Sequence, residues 1–373
     1  MVIAIGYIKK HAGRFRRLVR AGRPFAPLYV KCKVIWGCNL RCAMCNHWRS
    51  RSEPPLPTER ILTLLDELAQ LGCKRIKFSG GEPLLHPDLP ELVRHATSRG
   101  IFVSLATNGT LMTHDLAKIL VQSGLQTVTT SIDAPEASLH DTIRSVDGAF
   151  DDTVRGVREL TRPKFHRIVH VNTVVCAENY ESLIAMPRLV GNIGASSLKL
   201  IAVQEVAGGL KRLGIEQISD YNARIAPRIA RRALALGLFK HPREAYIFGP
   251  THEEKPQCMQ SGEKETESLY SRIRCFAPFT HAMIEHDGTV KVCCMLRRKA
   301  VMGDLKTQSF RQIWECDEYR RLRESERLPI HRRCLSCRDF IETNRKLARL
   351  YATDEQPSRI GGLYSRIADF FRQ

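Results

Sequence analysis

The chain has 373 residues, of which 43% are hydrophobic, and an excess of Lys and Arg gives it a formal net charge of +19. That length accommodates one large domain and a smaller one, each with its own core. No apolar run reaches the roughly 18 residues of a membrane span, and no secretory signal is recognisable. We therefore expect a cytoplasmic location, in which the 13 cysteines serve metal ligation, catalysis or the core rather than disulfides.

The first 27 residues form a basic segment. No acidic residue precedes Glu53, and Ile8, Phe15 and Val19 recur at helical spacing among lysines and arginines. This pattern predicts a basic amphipathic helix whose apolar stripe either packs on the protein or makes a peripheral membrane contact. Nucleic acid would also suit the charge, but charge alone gives no base recognition, and we expect no nucleic-acid partner.

From residue 28 to residue 205, short β-branched runs alternate with longer amphipathic helical patterns. The alternation predicts six strand-helix units, and therefore an α/β fold with a parallel sheet partly closed into a (β/α)6 TIM-like barrel. Ligands of such barrels bind at the carboxyl ends of the strands. The predicted strands cover 29–36, 75–81, 101–109, 127–134, 167–175 and 196–203. At their carboxyl ends fall Cys38, Gly80, Gly81, Thr107, Asn108, Ser131, Asp133, Asn172, Gln204 and Glu205.

The pattern changes after the barrel. Residues 206–268 predict a helical connector, with one long helix over 218–238 and a polar loop behind it. A small C-terminal α+β unit follows over 269–340, and alternating apolar residues on both sides of Asp287-Gly288 predict a hairpin there. Residues 341–373 predict a helical tail whose apolar face could dock on the core or on a lipid surface.

Three thiols lie close together in the stretch "WGCNLRCAMCNHW". Cys38, Cys42 and Cys45 have C-x3-C-x2-C spacing just past the first predicted strand. A structural zinc site needs a fourth ligand, which His47 could supply. A [4Fe–4S] cluster takes one ligand per iron, so three thiols would leave one iron open to a cofactor or substrate. The spacing alone leaves both possibilities open.

The cysteine motif at the first strand, followed by "SGGEP" at the second, resembles the radical S-adenosylmethionine (SAM) superfamily over about residues 28–205. The resemblance implies that Cys38, Cys42 and Cys45 hold a [4Fe–4S] cluster whose open iron is chelated by SAM. In that family the cluster passes an electron into SAM, which yields a 5′-deoxyadenosyl radical, so the cofactor carries the chemistry.

The same resemblance implies a set of SAM-binding residues. Met44 would lie against the adenine, and the turn of Gly80, Gly81 and Glu82 would bind the SAM amino group. Ser131 and Asp133 would lie near the ribose or carboxylate, and Asn172 near the nucleoside. From the residues alone, the glycines could serve only a tight turn, and Ser131 or Asp133 could merely cap the following helix.

The C-terminal unit resembles the SPASM and twitch extensions of the same superfamily. Cys275, Gly288 and Cys293 fit C-x12-G-x4-C, and Cys334 and Cys337 add C-x2-C, but position 343 is Thr and no cysteine follows. This departure implies the shorter twitch form, with one auxiliary [4Fe–4S] cluster that relays electrons. Its ligands would be Cys275, Cys293, Cys334 and Cys337. Cys294 could replace Cys293, and a four-cysteine zinc site is the competing interpretation.

The remaining cysteines are of two kinds. Cys32, Cys73 and Cys176 lie in strand or helix-end contexts and are expected to be buried small hydrophobes. Cys258 lies in the polar loop and is the candidate for an accessible thiol or catalytic hydrogen donor.

Taken together, the resemblance implies a radical SAM oxidoreductase of the dehydrogenase or epimerase type. Its expected substrate is a small polar metabolite such as an aminocyclitol or sugar, and its expected partner is a flavodoxin- or ferredoxin-type electron donor. A peptide maturase and a lipid-modifying enzyme are alternatives. A zinc-bearing nucleic-acid-binding protein is the alternative from another class, but it needs neither the GGE turn nor the barrel-like alternation.

Overall fold

A nine-stranded sheet in the order β6-β5-β4-β3-β2-β1-β7-β8-β9 organises the chain. The computed structural model describes residues 2–49, 54–163, 165, 167–203, 209–249, 273–294, 301–324, 334, 337 and 340–352. In these ranges no helix has both the length and the apolar composition to cross a bilayer.

Six parallel strands form the barrel part of the sheet, and they pair in chain order. They are β1 (Tyr29–Ile35), β2 (Arg75–Gly80), β3 (Phe102–Ala106), β4 (Thr127–Ser131), β5 (Ile168–Val175) and β6 (Ser197–Ala202). The helices up to residue 192 are α1 (Val2–Lys10), α2 (Ala12–Arg20), α3 (Thr58–Gln70), α4 (Leu89–Ser98), α5 (His114–Gln122), α6 (Ala137–Arg144), α7 (Ala149–Thr161) and α8 (Met186–Asn192). The predicted partial (β/α)6 barrel is confirmed.

The two faces of the parallel sheet differ in chemistry. Along β1, Val30, Cys32 and Val34 are fully buried in the main core, whereas Lys31 and Lys33 on the other face are half-buried. Because right-handed crossovers between successive neighbouring strands place their helices on one side, the apolar face is the helix-covered one. The other face is the concave inner face of the partial barrel, and it carries polar side chains.

One predicted helix is interrupted. In place of a single helix over 218–238, α9 (Ile215–Asp220) and α10 (Ala226–Ala235) are joined by a π-helical turn at Tyr221–Ile225. Pro227 lies in the first turn of α10 and has no N–H to donate. The missing donor breaks the regular hydrogen-bond ladder, which accounts for the irregular turn before it.

The N-terminal stripe is covered by protein. Ile8, Phe15 and Val19 are buried in a cluster with aromatic residues of the C-terminal unit, among them Phe276 and Phe279. The ring of Phe15 also meets that of Phe25 edge-on, with 5.3 Å between centroids. A membrane contact through this stripe is therefore not what the structure shows, and burial of the stripe stabilises the docked helices.

The C-terminal unit extends the barrel sheet. It consists of α11 (Ala277–Thr280), β7 (His281–Ile284), β8 (Thr289–Lys291), β9 (Val301–Asp304), α12 (Phe310–Trp314), α13 (Asp317–Glu324) and α14 (Ile341–Ala352). Strand β7 pairs in parallel with β1, and β8 and β9 continue antiparallel. The predicted hairpin is confirmed, with Gly288 at a φ of 92° in its turn.

Candidate active site

The three clustered thiols lie on the loop that follows β1. Cys38, Cys42 and Cys45 pack together with Met44 around Leu40 in one small cluster. The Leu40 N–H points at the Cys38 sulfur (3.4 Å), and the His47 N–H points at the Cys45 sulfur (3.5 Å). Burial raises the pKa of Cys38, and the neighbouring Cys42 and Cys45 raise it further. Three mutually close sulfurs, two of which accept a backbone N–H, suit ligands of a cluster held as thiolates.

A single zinc ion fits this loop poorly. In the part of the chain that the structure describes, no three His, Cys, Asp or Glu side chains converge on one ion position. His47 instead stacks on Trp36, with ring centroids 4.2 Å apart and planes 12° apart. Burial, with the charge of Lys33, lowers the pKa of His47 to about 4. Ligands of a cubane each bind a different iron and so need not converge, which favours the cluster.

The glycine pair of the second strand lies directly against the cysteine loop. A Cβ on Gly81 would come within 2.1 Å of the carbonyl oxygens of Trp36 and Gly37, and one on Gly80 within 2.3 Å of that of Ile35. The backbone is tied there as well, because the Glu82 N–H donates to the Gly37 carbonyl at 2.8 Å. Glycine is thus required for close approach, and this approach fixes where the cysteine loop starts.

The Glu82 side chain connects the turn after β2 to the segment that follows β3. Its carboxylate is fully buried and accepts from the Thr107 hydroxyl (2.6 Å), the Asn108 N–H (2.7 Å) and the Leu84 N–H (3.0 Å). Burial raises the pKa of Glu82, while these hydrogen bonds lower it. Both oxygens are therefore engaged within the protein. The side chain holds the end of β3 beside the cysteine loop.

A buried ion pair supports the cysteine loop from the other side. Arg144 at the end of α6 lies 2.6 Å from the Asp133 carboxylate, and its guanidinium also donates to the Cys42 sulfur at 3.5 Å. The second Asp133 oxygen accepts from the Val174 N–H at 2.9 Å. Burial alone would lower the pKa of Arg144, but Asp133 and Cys42 raise it. Asp133 has no exposed surface, and its carboxylate anchors Arg144.

Arg144 is the site residue that the sequence did not reveal. The sequence pattern predicts no helix over residues 137–144, and a lone arginine carries no motif. Two backbone hydrogen bonds, from Arg41 N to the Arg144 carbonyl (3.3 Å) and from Ala43 N to the Ile143 carbonyl (3.0 Å), seat the loop on this helix end.

Ser131 and Asn172 meet across neighbouring strands. They are register partners, Ser131 as the last residue of β4 and Asn172 three residues before the end of β5, and both side chains are half-buried on the inner face. The Ile132 N–H donates to the Asn172 carbonyl at 3.0 Å. Both side chains keep accessible surface, and Ser131 ends β4 at the edge of the sheet that β1 and the thiol loop share. Cys258, Gln204 and Glu205 lie outside the described residues.

A second group of thiols gathers in the C-terminal unit. Burial raises the pKa of Cys275 to about 12, and Cys293 and Cys337 are close enough to contribute to its shift. The Cys337 N–H donates to the Cys334 carbonyl at 3.1 Å, and the Asn344 amide donates to the Cys275 sulfur at 3.5 Å. Cys316, a half-buried thiol for which the sequence suggested no role, donates to the Met302 carbonyl at 3.5 Å.

The sequence profile of the radical SAM superfamily matches residues 33–190, and that of the SPASM iron–sulfur cluster-binding domain matches residues 275–338. The chain belongs to the radical SAM superfamily. It carries a C-terminal SPASM-type domain, and both thiol groups lie within the matched ranges. Membership implies a [4Fe–4S] cluster with SAM, and the SPASM domain implies auxiliary iron–sulfur clusters.

The relatives of this radical SAM protein differ in how much of the chain they match. An AdoMet-dependent heme synthase from Methanosarcina barkeri is 29% identical over 322 residues, which is 81% of this chain and 86% of the relative. A PqqA peptide cyclase from Rhodopseudomonas palustris is 31% identical over 209 residues, which is 53% of this chain and 54% of the relative. Similarity to the first is thus nearly full-length, and similarity to the second spans about half.

A solved structure shares the fold. Streptococcus suis SuiB bound to its precursor peptide SuiA superposes with a TM-score of 0.63 at 17% identity, covering 84% of this chain and 70% of SuiB. At that identity the likeness concerns the fold alone.

Proposed function

We propose that this radical SAM enzyme cleaves SAM reductively and removes a hydrogen atom from a side chain of a tetrapyrrole. The observation that carries the substrate class is the extent of similarity. The heme synthase from M. barkeri matches over 81% of this chain, whereas the peptide cyclase matches over 53%. This class replaces the aminocyclitol or sugar expected from the sequence.

Cys38, Cys42 and Cys45 are proposed to hold the cluster that, when bound, supplies the electron for SAM cleavage. The chain's own residues position that site. Gly80 and Gly81 admit the loop against β2, and Glu82 fixes the neighbouring strand end. Arg144 places a positive charge next to Cys42, which favours the thiolate form of that ligand.

Two inner-face residues and Met44 are proposed to contact SAM. Ser131 and Asn172 lie side by side on neighbouring strands, where β4 ends. Met44 packs in the same small cluster as the three thiols. The polar side chains of Ser131 and Asn172 suit the ribose, and the apolar side chain of Met44 suits the adenine. Asp133, whose carboxylate is occupied, is left out of this set.

The auxiliary site is proposed to accept an electron from the substrate. Cys275, Cys293, Cys334 and Cys337 would hold one cluster there, and four thiolates leave no iron open. In a net oxidation, the hydrogen atom would end in 5′-deoxyadenosine, one electron would pass to the cluster that these thiols would hold, and one proton would leave to solvent. A flavodoxin- or ferredoxin-type protein would supply the electron for SAM cleavage.

Peptide maturation is the second candidate. It is favoured by the fold shared with the peptide-bound SuiB structure and by the match to PqqA peptide cyclase over the core.

The test is an anaerobic assay with reconstituted enzyme, dithionite and SAM. A carboxylated porphyrin (coproporphyrin III), a short acidic peptide or an aminocyclitol is added in separate reactions. We expect the porphyrin to stimulate 5′-deoxyadenosine formation and to change in mass. Stimulation by the peptide alone would select the second candidate, and no 5′-deoxyadenosine under any condition would refute the proposed reaction class.

A further inference from the structure

Helix α2 presents a row of cations to solvent. Arg14, Arg17 and Arg20 follow one another at three-residue spacing, and all three are exposed. This spacing keeps them together on one side of the helix. The opposite side carries Phe15 and Val19, which are fully buried. The helix is therefore fixed on the protein by its apolar side, and its basic side faces outward.

Helix α14 lies beside α2 and extends this row. The Arg16 guanidinium donates to the Leu350 carbonyl at 3.4 Å, and the Arg20 guanidinium lies 5.9 Å from the centroid of the Tyr351 ring. The exposed Arg349 therefore lies next to the end of α2. The residues of what we call the basic helix face are Arg14, Arg17, Arg20 and Arg349.

Few carboxylates accompany the basic helix face. The sequence has no Asp or Glu before Glu53. On α14, Glu342 pairs with Lys346 of the same helix. Glu324 ends α13 next to the loop after α2, and its carboxylate lies 3.9 Å from the guanidinium of Arg320 on its own helix. In the part of the chain that the structure describes, none of the four arginines forms an ion pair.

Apolar side chains do not accompany these cations. A helix that inserts into a bilayer needs an apolar face for the lipid, and the apolar side of α2 is covered by protein. Among the described side chains, the large hydrophobic residues that are exposed lie elsewhere. They are Trp48, Leu85, Ile119, Ile168, Ile215, Leu236 and Val301. The basic helix face therefore suits an acidic protein surface better than a membrane.

The basic helix face lies over the auxiliary thiol group. The Asn344 amide of α14 donates to the Cys275 sulfur at 3.5 Å, and its oxygen accepts from the Phe276 N–H at 2.9 Å. The Phe276 ring in turn lies 5.7 Å from the Phe15 ring, measured between centroids. One pair of rings thus separates α2 from the residue after Cys275. Because a helix with its side chains is only about 10 Å across, a protein docked on this face would lie close to the auxiliary site.

We propose that the basic helix face docks an acidic one-electron carrier protein that reoxidises the auxiliary site. This inference rests on the proposed function, in which the auxiliary site takes one electron from the substrate. In the proposed step, one electron would pass from the cluster that these thiols would hold to the oxidised carrier, without transfer of an atom. The carrier would leave reduced, and the auxiliary site would be ready for another turnover. Opposite charges on the two proteins would speed their encounter.

The experiment measures docking and electron transfer separately, with a flavodoxin as the acidic carrier. One full-length variant combines Arg14→Gln, Arg17→Gln and Arg20→Gln. Binding of oxidised flavodoxin to each reconstituted protein is followed anaerobically by flavin fluorescence. Electron transfer is followed by stopped-flow absorbance of the flavin semiquinone, after mixing with dithionite-reduced and desalted enzyme. These measurements are repeated in a Cys38→Ala background, so that the electron comes from the auxiliary site alone.

Helix α10 supplies a matched control. Its variant combines Arg228→Gln, Arg231→Gln and Arg232→Gln, three arginines that are also exposed. Both variants therefore have the same net charge. The control lies at the other edge of the sheet, since Leu238, which follows α10, accepts at its carbonyl from the Leu198 N–H of β6 at 3.4 Å. Iron content and circular dichroism establish that every protein is folded and loaded.

We expect the α2 variant to reduce flavodoxin about 10- to 100-fold more slowly than wild type at low salt and low flavodoxin concentration, because it lacks the local positive charge. Its affinity for oxidised flavodoxin should fall as well. The α10 variant should behave like wild type. Added salt should slow wild type and reduce its advantage over the α2 variant, because salt screens exposed charges.

Equal rates and affinities of the α2 and α10 variants would overturn the inference. Binding to phosphatidylglycerol vesicles through the α2 arginines, without binding of flavodoxin, would also overturn it and assign the face to a membrane. If flavodoxin binds through these arginines but receives no electron in the Cys38→Ala background, the docking face is supported. The electron-accepting role of the auxiliary site in the proposed function would then fall.

Discussion

The two thiol groups of this protein are built in opposite ways. Cys38, Cys42 and Cys45 lie on one loop of eight residues, and local sequence alone brings them together. Cys275, Cys293 and Cys337 are separated by up to 62 positions and are gathered by tertiary structure. A motif can therefore reveal the first site, whereas the second depends on the extension of the barrel sheet by β7 and β8.

Their electrostatic surroundings differ as well. The first site has a buried cation, since Arg144 donates to the Cys42 sulfur while paired with Asp133. The second has a neutral donor, since the Asn344 amide points at the Cys275 sulfur. Positive charge beside a thiolate cluster stabilises its reduced form relative to a neutral neighbour. By this criterion Arg144 would raise the reduction potential of a cluster held at the first site.

The largest effect should come from the first site. Cys38→Ala removes one of only three proposed ligands, so we expect SAM cleavage to be abolished and iron to fall from roughly eight to roughly four per chain. Anaerobic iron and sulfide analysis and 5′-deoxyadenosine quantification measure this.

Cys73→Ala is the control for that variant. Cys73 is almost fully buried, and burial raises its pKa to about 12, so it acts as a small hydrophobe. The Cys73→Ala protein should be less stable than wild type but should keep its full iron content. Loss of iron from Cys73→Ala and not from Cys38→Ala would contradict the assignment of the loop.

The second site should separate SAM cleavage from substrate turnover. Cys275→Ala and Cys293→Ala should lose about four iron and block substrate oxidation, while slow uncoupled SAM cleavage continues. Cys294→Ala should keep full iron, because Cys293 is the neighbour of Cys275. Substrate turnover by Cys275→Ala would refute the electron-accepting role, and roughly twelve iron in wild type would indicate a second auxiliary cluster.

The buried cation of the first site gives a stability prediction. In Arg144→Met the Asp133 carboxylate stays buried without its partner, so we expect a loss of about 3–5 kcal/mol in the free energy of unfolding. Urea denaturation of the cluster-free proteins measures it. Arg155→Met is the matched control: its pair with Asp152 is solvent-exposed, and its loss should cost at most about 1 kcal/mol. Equal losses in the free energy of unfolding would show that the buried Arg144–Asp133 pair stabilises the fold no more than the exposed pair does.

The sequence predicts the barrel well because its signals are local. Strand alternation, the cysteine spacing and the Asp287-Gly288 turn each depend on a few adjacent residues. The parallel strands and the hairpin are confirmed, and the three thiols lie in one cluster. It could not predict Arg144, because the partner of that side chain comes from a distant strand and no spacing marks it. The same limit applies to Glu82, whose three hydrogen-bond donors come from two separate segments.

The smallest expected effect on stability concerns Glu285, whose ion pairs connect the strands that lead to the two thiol groups. The Glu285 carboxylate pairs with the ammonium groups of Lys33 and Lys291, at 2.8 Å from each. Lys33 lies on β1 before the first thiol group, and Lys291 ends β8 two residues before Cys293. Burial alone would raise the pKa of Glu285, but the two lysines lower it overall. Because the folded-state pKa lies below the unfolded one, the stabilisation is complete above the unfolded pKa and disappears as the pH falls through the folded pKa.

Glu285→Gln should therefore cost about 1–3 kcal/mol at neutral pH, and the difference from wild type should shrink only in acid, below about pH 4.5. Urea unfolding of the cluster-free proteins across that range measures it, so that cluster loss in acid does not enter. Glu315→Gln serves as the control, because its pair with Arg311 is about half exposed and should contribute almost nothing at any pH. A difference that is constant with pH would mean that Glu285 acts by packing rather than by charge. The two sites would then be joined by the sheet alone.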